Sequence, residues 1–289
     1  MIGLALIVAS FASASFASAS FASEAFATHA VAGVAPQGPT LAAALPAPVG
    51  CPGCWEPRLR TSWQWELRRP PRVGDLLDVD MYDIDGFEAG RRLVRRMHAR
   101  GIRAVCYVSA GSWEEWRPDA DAFPEAILGR NNGWPGERWL DIRRLDVLEP
   151  IMVARIEMCA RKGFDGIEFD NVDGYANRTG FALSGEDQLA FDAMLANAAH
   201  EHGLTAFLKN DLGQIDELLP YFDAALNEQC HQYSECGRLS AFVEAGKPVF
   251  GVEYRLETGE FCEAANRRNF NFLRKRLALD AWREPCRGV

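Results

Sequence analysis

From Thr61 onward the chain repeats one pattern. A short run rich in apolar and β-branched residues is followed by a turn and then by a longer stretch with apolar positions at helical spacing. Such alternation is the signature of β/α units that close a parallel sheet. Strands are expected at Thr61–Trp65, Asp78–Tyr82, Arg103–Ser109, Gly166–Asp170, Thr205–Lys209, Ala224–Glu228, Val249–Glu253 and Leu277–Trp282, with a short extra one at Trp139–Ile142 inside the long excursion after the third. Helices are expected at Phe87–Arg100, Leu148–Lys162 and Glu186–His202, each stopped by the glycine that follows it. In the second helix Ile151, Ala154, Ile156, Met158 and Cys159 form the apolar face, so Arg155, Arg161 and Lys162 are expected to face water. The fold class is therefore α/β: a (β/α)8 TIM-type barrel, which at roughly 250 residues makes a single domain.

The first 57 residues break this pattern. They contain no Lys or Arg, repeat Phe-Ala-Ser-Ala-Ser from Phe11 and from Phe16, and offer Ala-x-Ala sites at Ala12/Ala14, Ala17/Ala19 and Ala25/Ala27. Residues 1–57 thus read as a signal peptide and low-complexity leader, residues 58–289 as the barrel, and the protein as secreted or held at the cell surface. Nothing after residue 57 reaches the roughly 20 apolar residues of a membrane span. Eight cysteines suit an oxidising compartment. Cys230 and Cys236 are close enough to pair, and Cys51-x-x-Cys54 fits a small disulfide loop or a distant pairing better than half a zinc site. A net charge of -9 argues against nucleic acid and suits a cationic ligand.

In such a barrel the chemistry sits at the C-terminal ends of the strands. Those ends are polar at Tyr107–Ser109, Asp170–Asp173, Lys209–Asp211, Asn227–Gln229 and Glu253–Tyr254. Period two puts Ile167 and Phe169 on the helix side and Glu168 and Asp170 inside; the same count puts Ala224, Leu226 and Glu228 inside. Asp170 and Glu228 are then the two rim carboxylates, and Glu168, a layer lower, is expected to form an ion pair with Lys209. Two carboxylates with aromatics such as Trp65, Tyr107, Trp113, Trp116 and Trp134 are the equipment of glycosidic cleavage, although the aromatics also fit plain core packing. Asp83, Asp85, Asp173, Asp211 and Glu253 are expected to give the mouth its acidic character. The five histidines form no metal motif, so no metal and no cofactor is expected. Asn177-Arg178-Thr179 fits the glycosylation acceptor pattern and receives no role.

The ordered blocks Trp63-Gln64-Trp65, Tyr82-Asp83-Ile84-Asp85, Cys106 to Ser112, Trp139-Leu140-Asp141-Ile142, Gly166 to Tyr175, Leu208-Lys209-Asn210-Asp211 and Asn227-Glu228-Gln229-Cys230 resemble glycoside hydrolase family 114. The resemblance runs from Trp63 to Tyr254 and is looser beyond. It implies a secreted β/α-barrel endo-α-1,4-polygalactosaminidase, with Asp170 at the position of the family's nucleophile and Glu228 at that of its acid/base. On this reading Trp65, Asp83, Tyr107, Asn171, Asp173, Lys209, Asn210 and Asp211 bind the polysaccharide, Asp173 being the one of these best suited to capping a loop instead. The protein is expected to act as a monomer. Two alternatives stay open: a carbohydrate-binding barrel without catalysis, and a hydrolase for a different glycan.

Overall fold

A computed structural model describes residues 45–287 of the chain. Eight parallel strands form the barrel wall in the order β1 (Trp63–Glu66), β2 (Met81–Asp85), β3 (Arg103–Ser109), β7 (Gly166–Asp170), β8 (Thr205–Lys209), β9 (Ala224–Glu228), β10 (Val249–Glu253) and β11 (Asn271–Lys275). A ninth, β12 (Arg283–Pro285), pairs antiparallel with β11. Between β3 and β7 the chain makes a separate three-stranded sheet of β4 (Ser112–Glu114), β5 (Leu128–Asn131) and β6 (Glu137–Leu140). The helices are α1 (Arg91–His98), α2 (Leu145–Lys162), α3 (Gly185–Glu201), α4 (Ile215–Leu218), α5 (Ser240–Glu244) and α6 (Thr258–Arg267). Among the described residues no helix is long and apolar enough to cross a membrane.

Side-chain parity divides the core in two. Trp63, Trp65, Met81, Val105, Phe207, Ala224, Leu226, Phe250, Val252 and Leu273 fill the barrel interior. The alternate residues, including Tyr82, Ile84, Cys106, Ile167, Phe169 and Leu208, pack with the helices. Large rings fill the lower interior, leaving polar side chains for the layers nearer the C-terminal ends.

β12 does not pair with β1; side chains close that seam instead. Trp63 Nε1 donates to the Asn271 carbonyl at 2.9 Å, and Arg283 donates to the Trp63 carbonyl at 3.0 Å. Four disulfides, Cys51–Cys54, Cys106–Cys159, Cys230–Cys236 and Cys262–Cys286, add covalent ties; the second joins β3 to α2. Residues 45–57, compositionally part of the leader, lie against the barrel: Val49 N donates to Asn197 Oδ1 at 2.8 Å, and Thr205 Oγ1 donates to the Trp55 carbonyl. Residues 1–44, which hold the repeats and the Ala-x-Ala sites, lie outside the described residues.

Four expectations are corrected. The second strand is Met81–Asp85, not Asp78–Tyr82, because Asp80 is held outside it by Ser62 N and Oγ at 2.8 and 2.7 Å. The last barrel strand is Asn271–Lys275, whose polar residues are buried and bonded; Leu277–Trp282 is a turn over the seam, where Leu67 N donates to the Leu279 carbonyl. The extra strand begins at Glu137 and stops at Leu140, where Asp141 turns the chain by binding Arg143. Arg155 does not face water: it is 2% exposed, bonded to Asp119 and the Ser109 carbonyl, and lies over Phe87 and Phe123, because the excursion covers that face of α2.

Candidate active site

A cleft of about 490 Å³ opens at the C-terminal ends of the strands. Asp170, Lys209 and Glu228 end β7, β8 and β9 and stand side by side in its wall. The residues that follow them, Asn171, Asn210 and Gln229, have φ of 62°, 52° and 64°. Three successive strands therefore leave the barrel through a left-handed residue, a conformation that Asn tolerates better than most. The kink leaves the last strand side chain projecting at the rim. Gly111 secures it from outside, since a Cβ there would meet the Asn171 carbonyl oxygen at 1.8 Å.

Lys209 Nζ lies 2.7 Å from Asp170 Oδ1 and 2.9 Å from Glu228 Oε2. Those two oxygens can be no further apart than the two bonds laid end to end. Tyr107 donates to Asp170 Oδ2 at 2.7 Å, Asn171 N donates to Asp170 Oδ1 at 2.8 Å, and Tyr254 donates to Glu228 Oε1. Asn210 braces Glu228 from the next strand: its Oδ1 accepts from Glu228 N at 3.0 Å, and its Nδ2 reaches Glu228 Oε2 at 3.4 Å. Every oxygen of the two carboxylates thus has a protein partner, while both side chains keep a face toward the cleft, 18% and 25% exposed.

The electrostatics follow from these contacts. Burial opposes ionisation of Asp170, but Lys209, Tyr107 and the Asn171 amide outweigh it and hold its carboxyl below the ordinary range. Burial also disfavours charge on Lys209, yet Asp170, Glu228 and Glu168 together hold its pKa well above the usual value. Burial, reinforced by the neighbouring carboxylates, pushes both Tyr107 and Tyr254 well up, so both remain donors.

One layer down, Glu168 is fully buried. Its Oε2 accepts from Trp65 Nε1 at 3.1 Å, and its Oε1 lies 3.9 Å from Lys209 Nζ, the ion pair expected from parity. Asp83 stands beside Glu168, equally buried, with neither oxygen hydrogen-bonded to a donor. Burial and the Glu168 charge push Asp83 well above the carboxylate range.

The structure gathers Trp65, Tyr107, Asp170, Asn171, Asp173, Lys209, Asn210 and Glu228 in the cleft wall. Two of these are occupied locally: Asn171 Nδ2 donates to Ser109 Oγ at 2.9 Å, and Asp173 accepts from Asn177 Nδ2. Asp83 lies beneath the cleft. Asp211 lines a side depression with Tyr175 and Tyr233. Glu253 is on the helix side of β10, fully buried, where its Oε1 accepts from His231 N at 2.8 Å. Parity excludes it from the mouth, since Phe250 and Val252 are the inward residues. Asp85 is in the wall but ion-paired with Arg117 at 2.7 Å. Of the aromatics, Trp116 and Trp134 stand exposed in the wall, whereas Trp113 is tied to the Ala120 carbonyl. Sequence reasoning named Tyr254 only as part of a polar strand end and gave it no role, although the same parity puts it on the face of Phe250 and Val252. It passed over Glu137, on the excursion, for which the strand pattern held no signal.

The sequence profile of glycoside-hydrolase family GH114 matches residues 46–289. Among solved structures, Ega3 of Aspergillus fumigatus in complex with galactosamine is 37% identical, with a TM-score of 0.76 over 80% of this chain and 97% of that one. The glycoside hydrolase domain of PelA from Pseudomonas aeruginosa shares the fold at 16% identity, with a TM-score of 0.62 over 77% of this chain and 97% of that one. A protein of Deinococcus radiodurans is 25% identical over 218 residues, 67% of this chain and 69% of its own length.

Proposed function

The chain belongs to glycoside-hydrolase family GH114, and from that premise we propose that it hydrolyses internal α-1,4 bonds of a galactosamine-containing polysaccharide, with Asp170 as nucleophile and Glu228 as acid/base. The observation that carries this reading is the single ammonium of Lys209 bonded to both carboxylates. It holds the two carboxylates close, which supports the roughly 5–5.5 Å spacing of retaining enzymes over the roughly 6.5–9.5 Å that an inverting enzyme leaves for water.

Asp170, kept ionised by Lys209 and Tyr107, attacks the anomeric carbon as the bond to the leaving oxygen breaks. Glu228 gives that oxygen its proton, and the carboxylate so formed is stabilised by Lys209, Tyr254 and Asn210. In the second step Glu228 takes a proton from water, which attacks the glycosyl-Asp170 ester and frees the carboxylate. Trp116 and Trp134 offer exposed ring faces for sugar stacking along the cleft. A cationic amino sugar suits the carboxylates of the wall, and Ega3, solved with galactosamine, supports that choice of sugar.

The proposal includes a leader over residues 1–57, of which 45–57 pack against the catalytic barrel over 58–289, action outside the cell and a monomeric enzyme. The leader composition and the four disulfides support export. Incubating the full chain with partly deacetylated poly-α-1,4-galactosamine tests the reaction. Oligosaccharides should appear with α-configured new reducing ends by NMR at early times; β-configured ends would replace the retaining mechanism, and no products would remove the substrate assignment.

A further inference from the structure

Arg60, Arg283 and Arg287 line a second cavity, of about 370 Å³, at the seam where β12 and β1 do not pair. Its other lining residues include Thr61 and Ser62 ahead of β1, Asp80 ahead of β2 and Asn271 at the start of β11. It therefore lies toward the N-terminal ends of the strands, away from the hydrolytic cleft. Its inner wall is apolar, made by the buried Trp63, Phe272 and Leu273.

Among the described residues the three guanidiniums are held by neutral acceptors. Arg60 Nε and one Arg287 nitrogen both donate to Asn269 Oδ1, each at 3.1 Å. Arg287 also donates to Asn271 Oδ1 at 3.2 Å and to the Asn266 carbonyl at 3.3 Å, and Arg283 donates to the Trp63 carbonyl at 3.0 Å. One amide oxygen thus draws two like charges together, on a residue fixed in the left-handed region at φ 62°. Burial, joined by the nearby Arg60 charge, pushes Arg287 below its ordinary value. Asp80, the carboxylate in the wall, is already engaged by Ser62 and lies 3.3 Å from Arg58. In a chain with 40 acidic against 31 basic residues, three arginines turned to one cavity and, among the described residues, not paired with a carboxylate are placed for an anion from outside.

We propose that this cavity binds an oxyanion, a carboxylate or a phosphate, free or carried on a small sugar or polymer whose body rests on the apolar wall. The guanidinium forks supply paired N–H donors matched to such a group, and the site is independent of the hydrolytic one.

Calorimetric titration of the full chain with inorganic phosphate and with glucuronate tests it. At least one should bind saturably in the millimolar range or tighter, with affinity reduced about tenfold in Arg60→Gln and in Arg287→Gln, as loss of one charge-assisted contact implies. Arg144→Gln, whose guanidinium is exposed and already paired with Asp146, should bind as the parent does, and hydrolysis should be unchanged in all three variants. Equal binding of both probes means that the oxyanion suffices; tighter glucuronate means that the wall also takes the ring. No saturable binding of either probe, or binding that survives both cavity substitutions, overturns the proposal.

Discussion

Lys209 reaches from the end of β8 to place its ammonium 2.7 Å from Asp170 Oδ1 on β7, and the same ammonium meets Glu228 on β9 at 2.9 Å. A side chain 3% exposed carries this charge because carboxylates surround it. Lys209→Met keeps the volume and removes the charge. It should lower kcat by about 10²–10⁴ and, by leaving buried carboxylates uncompensated, cost about 3 kcal/mol of stability. Rate measurements beside a denaturant titration check both; a fully active variant would show that the bridge is dispensable.

Tyr107→Phe removes the donor to Asp170 Oδ2. The native contacts depress the Asp170 pKa, so its ionised state persists into acid. Without Tyr107 that pKa should rise, moving the acid limb of the kcat/KM profile to higher pH and lowering the Tm at neutral pH. The linkage has the same sign. A depressed carboxylate contributes stability above its unfolded value near 3.9, and that contribution is lost as pH falls through the folded pKa. An unmoved acid limb would dissociate Asp170 from that limb.

Burial pushes Asp211 and Glu253 up, each to about 7. For a raised carboxyl the stability is full below the unfolded value and is lost as pH rises through the folded one. Tm should therefore fall between about pH 4, where the unfolded carboxyls ionise, and about pH 7. Asp211→Asn with Glu253→Gln, neutral at both ends, should flatten that slope. The pair should leave KM for polymer unchanged if Asp211 has no part in binding; a raised KM would restore it to the substrate-binding set expected from the sequence.

Trp116 and Trp134 expose about half their surface at the cleft, which packing does not require. Alanine at either should raise KM for polymer about three- to tenfold, the worth of one stacking contact, with kcat nearly unchanged. Steady-state kinetics on oligomers of increasing length would locate each ring, since a ring beyond the reach of a short oligomer leaves its KM untouched.

The parts of the fold legible in the sequence were those with strict parity. β3, β7, β8, β9 and β10 match their expected bounds because each alternates or runs apolar between clear turn residues. β11 was missed because Asn271 and Lys275 look like loop residues until the seam supplies partners: Asn271 Nδ2 donates to the Leu59 and Val249 carbonyls, and Lys275 donates to Gln64 and the Asp280 carbonyl. Arg155 was misplaced for a related reason, since its partner Asp119 lies on an excursion whose docking no local pattern reveals. In the site, parity alone selected Asp170, Glu228 and Glu168. It paired Lys209 with Glu168 but could not show that the same lysine joins Asp170 to Glu228, a relation across three strands.

The most direct measurement compares hydrolysis of partly deacetylated poly-α-1,4-galactosamine by the full chain, Asp170→Asn and Glu228→Gln, each shown to be folded by its Tm. The account predicts oligosaccharides from the parent and rates lower by about three or more orders of magnitude in both variants. An active parent whose rate survives either substitution would contradict the assignment of the pair.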